Sequence, residues 1–202
     1  HQRGQLVEAE QLYRQVLAKN SRAFAAWQML GILLAQQGRP GDALEMMEAA
    51  LALSPRNAGA LVNTGNVLSM LGRWAEAVIR YDRALAIAPD TQALNNRGHA
   101  LQSLGRPADA LASFEKSLAI DPKDVQALFK RGVVLAELGR SDEAVASYDR
   151  ALALAPDHAE ALNNRGYIWW LNKQLYAPAI ADLEKALALK RWAEIFSFLV
   201  SS

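Results

Sequence analysis

The chain contains no cysteine, which removes disulfides, thiolate metal sites and thiol catalysis together and leaves the redox compartment open. Histidine is almost as scarce. Of the three, His1 is terminal, His158 falls in a cap region and His99 stands alone, whereas zinc needs several converging ligands. No metal and no cofactor are therefore expected. Charge of one sign is lacking too: 22 lysines and arginines face 21 aspartates and glutamates, with no basic stripe to attract a nucleic acid. Long apolar runs are broken by charge or glycine, which excludes membrane insertion by a spanning helix. Residues His1 to Ser21 are polar and do not read as a signal peptide, so the expected location is cytoplasmic and the start resembles that of a fragment. The glycines are singletons rather than a phosphate-cradling cluster, and no serine has a plausible histidine and acid beside it. No catalytic residue is identified, and an independent enzyme is not expected.

What the chain does have is a phrase of about 34 residues repeated along most of its length. Gly38, Gly72, Gly105 and Gly139 lie 34, 33 and 34 residues apart. Pro55, Pro89, Pro122 and Pro156 keep the same intervals. A second glycine series, Gly31, Gly65, Gly98, Gly132 and Gly166, runs in phase. Ala43, Ala77, Ala110, Ala144 and Ala179 form a series that slips only at its last member. Self-similarity at this period predicts stacked two-helix units, each touching its neighbours, rather than one globular core.

The stretch Asn57–Pro89 shows how a unit is built. Leu61, Gly65, Leu68 and Leu71 share a helical face, and Gly72 ends that helix where a left-handed residue is needed. A second helix follows, with Glu76 in its first turn and with Ala77, Tyr81, Ala84 and Leu85 on its buried side. In sister units Pro40 and Pro107 open this second helix, where a missing N–H costs nothing. Tyr81, Phe114 and Tyr148 occupy one equivalent slot as large anchors between layers. Asp90, Asp124 and Asp157 follow the prolines and are natural caps for the next first helix. Arg97, Arg131 and Arg165 recur one residue before the helix glycines and are expected to pair with Asp82, Glu115 and Asp149.

A unit of this length with Trp27, Leu30, Gly31, Ala43, Ala50 and Pro55 in place, repeated as Leu61, Gly65, Ala77, Tyr81, Ala84 and Pro89, resembles the tetratricopeptide repeat. The resemblance covers roughly residues 4–190 and implies an all-α, right-handed superhelix, or α-α solenoid. Read this way, residues 1–21 are the second half of a repeat. Full repeats follow at 22–57, 58–90, 91–124, 125–158 and 159–191, and a C-terminal capping helix closes the chain at 192–202. The last repeat departs most, with Lys173 and Gln174 replacing the turn glycine. In the closing segment, Trp192, Ile195, Phe196 and Leu199 share a face, and Phe198 and Val200 lie opposite.

The resemblance also implies that the first helices line a concave groove that binds a protein or peptide. By register its wall carries Asn63, Asn66, Asn95, Asn96, His99, Phe129, Lys130, Asn163, Asn164, Tyr167 and Trp170. Asn63, Asn96 and Asn164 hold one equivalent position, although asparagine is a poor interior helix former. A row of primary amides offers donors and acceptors to an extended peptide backbone; the other reading is that they are solvated copies made by repeat duplication. Trp170 and Tyr167 would form an aromatic corner, with Trp169 in the buried slot; equally, the altered last repeat could bury both tryptophans.

Asn66, Asn96 and Lys130 also fall at three positions of the carboxylate clamp of chaperone-binding arrays, but Val62 and Gln126 replace two of its cations, which weakens that reading. The asparagine ladder is similar to the repeat region of O-linked N-acetylglucosamine transferases and their bacterial relatives. On that reading the chain is the substrate-recognition arm of an enzyme whose catalytic domain lies elsewhere. Self-association through the chain ends, giving a homo-oligomer, is a third possibility.

Overall fold

A computed structural model describes residues 2–172 and 174–201, and the side chains of 6–172 and 174–191. The described residues form helices joined by short turns, without a strand. They divide into two compact units, the first ending at Arg106 and the second starting at Pro107.

The first unit holds α1 (Gln2–Lys19), α2 (Phe24–Gln36), α3 (Pro40–Leu53), α4 (Ala58–Met70), α5 (Trp74–Leu85) and α6 (Thr91–Ser103). Each packs on the next, and α4 also touches both α2 and α6. The first helices thus lie side by side as a wall, which is solenoid packing. The second unit holds α7 (Pro107–Ile120), α8 (Val125–Glu137), α9 (Ser141–Leu154), α10 (Ala159–Asn172) and α11 (Tyr176–Ser201), again packed in sequence.

Local chemistry sets these boundaries. Gly38, Gly72, Gly105 and Gly139 adopt φ between 69° and 75°, a region that glycine enters without a Cβ clash. At Gly72 the chain closes α4 with two bonds, Gly72 N–H to Ser69 C=O (3.0 Å) and Arg73 N–H to Leu68 C=O (2.9 Å), the αL helix stop expected there. Gln174 takes the left-handed role in the last turn, at φ 52°. Pro40 and Pro107 open α3 and α7. Asp90 and Asp124 cap α6 and α8 as expected, accepting from Ala93 N–H at 2.6 Å and Ala127 N–H at 3.1 Å. Asp157 does not cap α10. His158 does so, its Nδ1 accepting from Ala161 N–H at 3.3 Å, while Asp157 pairs with Lys185 at 3.0 Å.

Burial follows the 3.6-residue period. The second helices bury Ala43, Met47, Ala50 and Leu51; Ala77, Val78, Tyr81 and Ala84; Ala110, Leu111, Phe114 and Leu118; Ala144, Tyr148, Ala151 and Leu152. The glycines of the first helices fit against the large anchor. A Cβ at Gly65 would sit 2.5 Å from the Tyr81 ring, and one at Gly132 the same distance from the Tyr148 ring. The expected separate helix over 192–202 is instead the end of α11, whose backbone continues unbroken to Ser201. The side chains of Trp192, Ile195, Phe196, Phe198, Leu199 and Val200 lie outside the described residues, as do His1 and Lys173. No helix among the described residues is long and apolar enough to cross a membrane, and no group of three metal-ligating residues occurs among them.

Candidate binding face on the first helices

The asparagine ladder has an internal explanation that register alone does not show. Asn66 Oδ1 accepts two hydrogen bonds, from the Tyr81 hydroxyl at 2.9 Å and from Asn96 Nδ2 at 2.7 Å. A carbonyl oxygen has two lone pairs, so that oxygen is saturated. Tyr148 meets Asn164 in the second unit. Asparagine therefore follows tyrosine: where the anchor is Tyr81 or Tyr148, the next first helix brings Asn96 or Asn164. Where the anchor is Phe114, which has no hydroxyl, the slot holds Lys130. A buried hydroxyl without a partner carries a desolvation cost of about 1–3 kcal/mol; Asn164 meets that of Tyr148 directly, whereas that of Tyr81 is met by Asn66, whose oxygen Asn96 also holds. Asn63 follows Met47 and has no such duty.

Burial pushes the Tyr148 hydroxyl up to about 12, with the Asn164 bond opposing the rise and the Glu137 charge adding to it. Burial raises Tyr81 likewise, opposed by its bond with Ser69. The folded values lie above the ordinary value of 10.0. The stability they support is thus present below the unfolded value and lost as the pH climbs towards the folded one, because the unfolded chain releases its protons first. Denaturant midpoints are expected to fall steeply from about pH 10 to about pH 12. The double variant Tyr81→Phe, Tyr148→Phe should lose much of that dependence, and an unchanged slope would remove the tyrosines as its cause.

The remaining wall residues separate into those the structure brings together and those it does not. In the first unit, Asn63 and Asn66 line an apolar hollow of about 250 Å³ with Ile32, Met47 and Met70. Asn66, Asn96 and His99 line a second hollow of about 210 Å³ with Ser69 and Tyr81. His99 is exposed and meets Trp74 edge to face, ring centroids 5.6 Å apart. Asn95 is only partly exposed.

In the second unit, Tyr167 and Trp170 are each about half exposed, with centroids 6.0 Å apart. Asn163 stands exposed four residues earlier on the same helix. Trp169 is only partly buried, its ring 4.6 Å from the Arg165 guanidinium. Phe129 is a correction: it is buried. His158 stacks on it at 4.7 Å, Tyr148 flanks it at 6.1 Å, and Lys130 Nζ lies 5.5 Å from its ring centre. The wide ring turns into the junction beside the α10 cap instead of facing out, so it belongs to the core.

The arginine pairs form as expected. Arg97 reaches Asp82 at 2.6 Å, Arg131 reaches Glu115 at 3.3 Å, and Arg165 joins Asp149. Arg165 also makes a bidentate bond to Asp182 at 2.7 and 2.8 Å. These arginines hold layers together.

The tetratricopeptide repeat profile matches residues 2–45, 29–91, 95–157 and 135–193. No curated protein matches the sequence significantly. Among solved structures, a tetratricopeptide repeat protein from Parabacteroides merdae aligns with TM-score 0.79 at 24% identity, covering 93% of this chain and 74% of that one. YrrB, described as a TPR protein with an unusual peptide-binding site, aligns with TM-score 0.73 at 24% identity, covering 89% and 92%. MamA from Desulfovibrio magneticus aligns with TM-score 0.75 at 20% identity, covering 91% and 96%. These likenesses establish the fold. With its repeat profile matched along nearly the whole sequence, the chain belongs to the tetratricopeptide repeat family.

Proposed function

We propose that the protein is a binding scaffold, not an enzyme, which holds an extended polypeptide segment along its first helices. The observation that carries this reading is the solvent-facing pair Tyr167 and Trp170 on α10, with Asn163 one turn away on the same face. Half-exposed aromatic rings side by side are the residue type that dominates binding energy at protein interfaces. The Asn163 amide supplies a donor and an acceptor for a peptide bond. In the first unit the corresponding elements are Asn63 and the apolar hollow with Ile32 and Met70. Asn96 and Asn164 contribute only the amide capacity left over from their inward bonds. The likeness to YrrB supports the same class of ligand.

The test is selection of peptides from a displayed random library, followed by calorimetric titration of the selected sequences. Peptides rich in aromatic or large aliphatic residues are expected. Trp170→Ala should weaken them about 10- to 100-fold, about 1.4–2.7 kcal/mol, and Asn163→Ala by less. Equal affinity for wild type and Trp170→Ala would remove the aromatic pair as the site.

A further inference from the structure

We infer that the end of the second unit beside α11 is a second docking surface, adjoining the aromatic pair's face at Asn163, and that its occupant is an amphipathic helix of a partner protein carrying the pattern Ala-Leu-x-x-Arg. Within this unit the second helices α7 and α9 each bury an anchor and a leucine four residues later. Those residues are Phe114 and Leu118 in α7, and Tyr148 and Leu152 in α9. α8 covers Leu118 with Val125, Ala127 and Leu128. Tyr148 and Leu152 are 1% and 8% exposed. The same two slots in α11 hold Leu183 and Leu187, which are 36% and 58% exposed. Because α11 runs on as helix to Ser201, the described chain does not turn back over them as α8 and α10 do over their predecessors.

A groove of about 1140 Å³ lies beside this face, lined by Leu183, Ala186 and Leu187 of α11 and by Ala159, Asn163 and Asn164 of α10. That volume equals roughly two to three turns of a helix about 10 Å across with a 5.4 Å pitch.

The internal layers also specify what such a helix carries. Ala127, Leu128 and Arg131 recur as Ala161, Leu162 and Arg165. The arginine of each first helix pairs with an acid on the preceding second helix, Arg131 with Glu115 and Arg165 with Asp149. The next acid in that series is Glu184, exposed and without a partner among the described residues. An incoming helix with alanine and leucine over Leu187, and arginine three residues after its leucine, would cover the apolar slots and pair with Glu184 together. It needs no asparagine, since Leu183 has no hydroxyl to satisfy, just as Lys130 follows Phe114.

The probe is a fluorescein-labelled peptide of residues 124–138 of this chain, which carries Asp124, Ala127, Leu128 and Arg131, titrated into the full chain by fluorescence anisotropy. Saturable binding is expected. Leu187→Glu should weaken it at least about tenfold, and Glu184→Lys should weaken it several-fold. Exchanging the charges, Glu184→Lys with an Arg131→Glu peptide, should restore much of the loss. Trp170→Ala should leave it unchanged, which separates this surface from the aromatic pair. The proposal is overturned if the peptide does not bind, if Leu187→Glu binds equally, or if the charge exchange restores nothing. Sedimentation of the unliganded chain closes the remaining case: self-association abolished by Leu187→Glu would make the occupant a second copy rather than a partner's helix.

Discussion

Asp182→Ala is expected to destabilise the α10–α11 pair by about 3 kcal/mol, at the lower end of the range for breaking a buried ion pair. The carboxylate grips Arg165 with two bonds of 2.7 and 2.8 Å, and both side chains are largely withdrawn from water. The Asp182 bond is the foremost influence holding Arg165 in its charged form, against the desolvation that opposes it, with Asp149 adding support. Removing Asp182 leaves a cation between the Trp169 ring and a single exposed acid. Asp149 still offers one partner, which keeps the loss from reaching the top of the range. The chain also contains the milder variant. Arg131 donates to Ser147 Oγ at 2.6 Å in the slot equivalent to Asp182, so Asp182→Ser should retain one bond and cost less than alanine. Because solenoid stability is distributed by neighbours, the loss should appear locally. Amide exchange should accelerate across α10 and α11 and stay unchanged in α2 to α5. Uniform acceleration, or equal losses for serine and alanine, would contradict this account.

Periodicity made much of the fold legible because it reports backbone requirements. Glycines about 34 residues apart marked the left-handed stops at Gly38, Gly72, Gly105 and Gly139, and Pro40 and Pro107 marked helix starts, since both residue types act through the local chain. The departures have equally local causes. Asp157 looked like a cap by analogy with Asp90 and Asp124, but α10 starts with His158 in the capping place, and Asp157 is drawn to Lys185. The C-terminal segment is rich in helix formers and has no glycine, and Pro178 sits in the first turn of α11, where its missing N–H has no intrahelical acceptor to lose, so nothing later in it breaks the helix into two.

The candidate site was less legible, because a helical position says which way a side chain leaves the backbone and not what it meets. Asn63, Asn96 and Asn164 share a register position and were expected to share a role. Asn164 answers the Tyr148 hydroxyl on the preceding layer, and Asn96 bonds the Asn66 oxygen that already accepts from Tyr81, pairings between helices that a one-helix reading cannot show. The clue was present in the alternation of Tyr81, Phe114 and Tyr148 against Asn96, Lys130 and Asn164. Phe129 was placed on the wall with Lys130, although neighbours on a helix point about 100° apart, and only Lys130 keeps outward exposure. Tyr167 and Trp170, three residues apart, do share a face, and there the expectation and the geometry coincide.

Gly132→Ala tests the tightest contact in the second unit. The added Cβ would lie 2.5 Å from Tyr148 Cε1 and 2.8 Å from Cδ1. The ring has little room to retreat, being 1% exposed, and its hydroxyl is tied to Asn164. Either α8 and α9 move apart or the ring leaves its rotamer, and overpacking of this kind costs about 1–3 kcal/mol. The upper part of that range is expected, because displacing the ring also strains the Asn164 bond. The chain shows how the clash can be relieved. Gly166 faces Leu183 Cγ at 3.1 Å, where the anchor is a leucine rather than a ring. The double variant Gly132→Ala, Tyr148→Leu should therefore be more stable than the sum of its single losses predicts. A coupling of about 1 kcal/mol or more in a denaturation cycle is expected for residues in direct contact. Strictly additive losses would mean that the ring moves aside freely, and that the glycine series has some cause other than the anchor it faces.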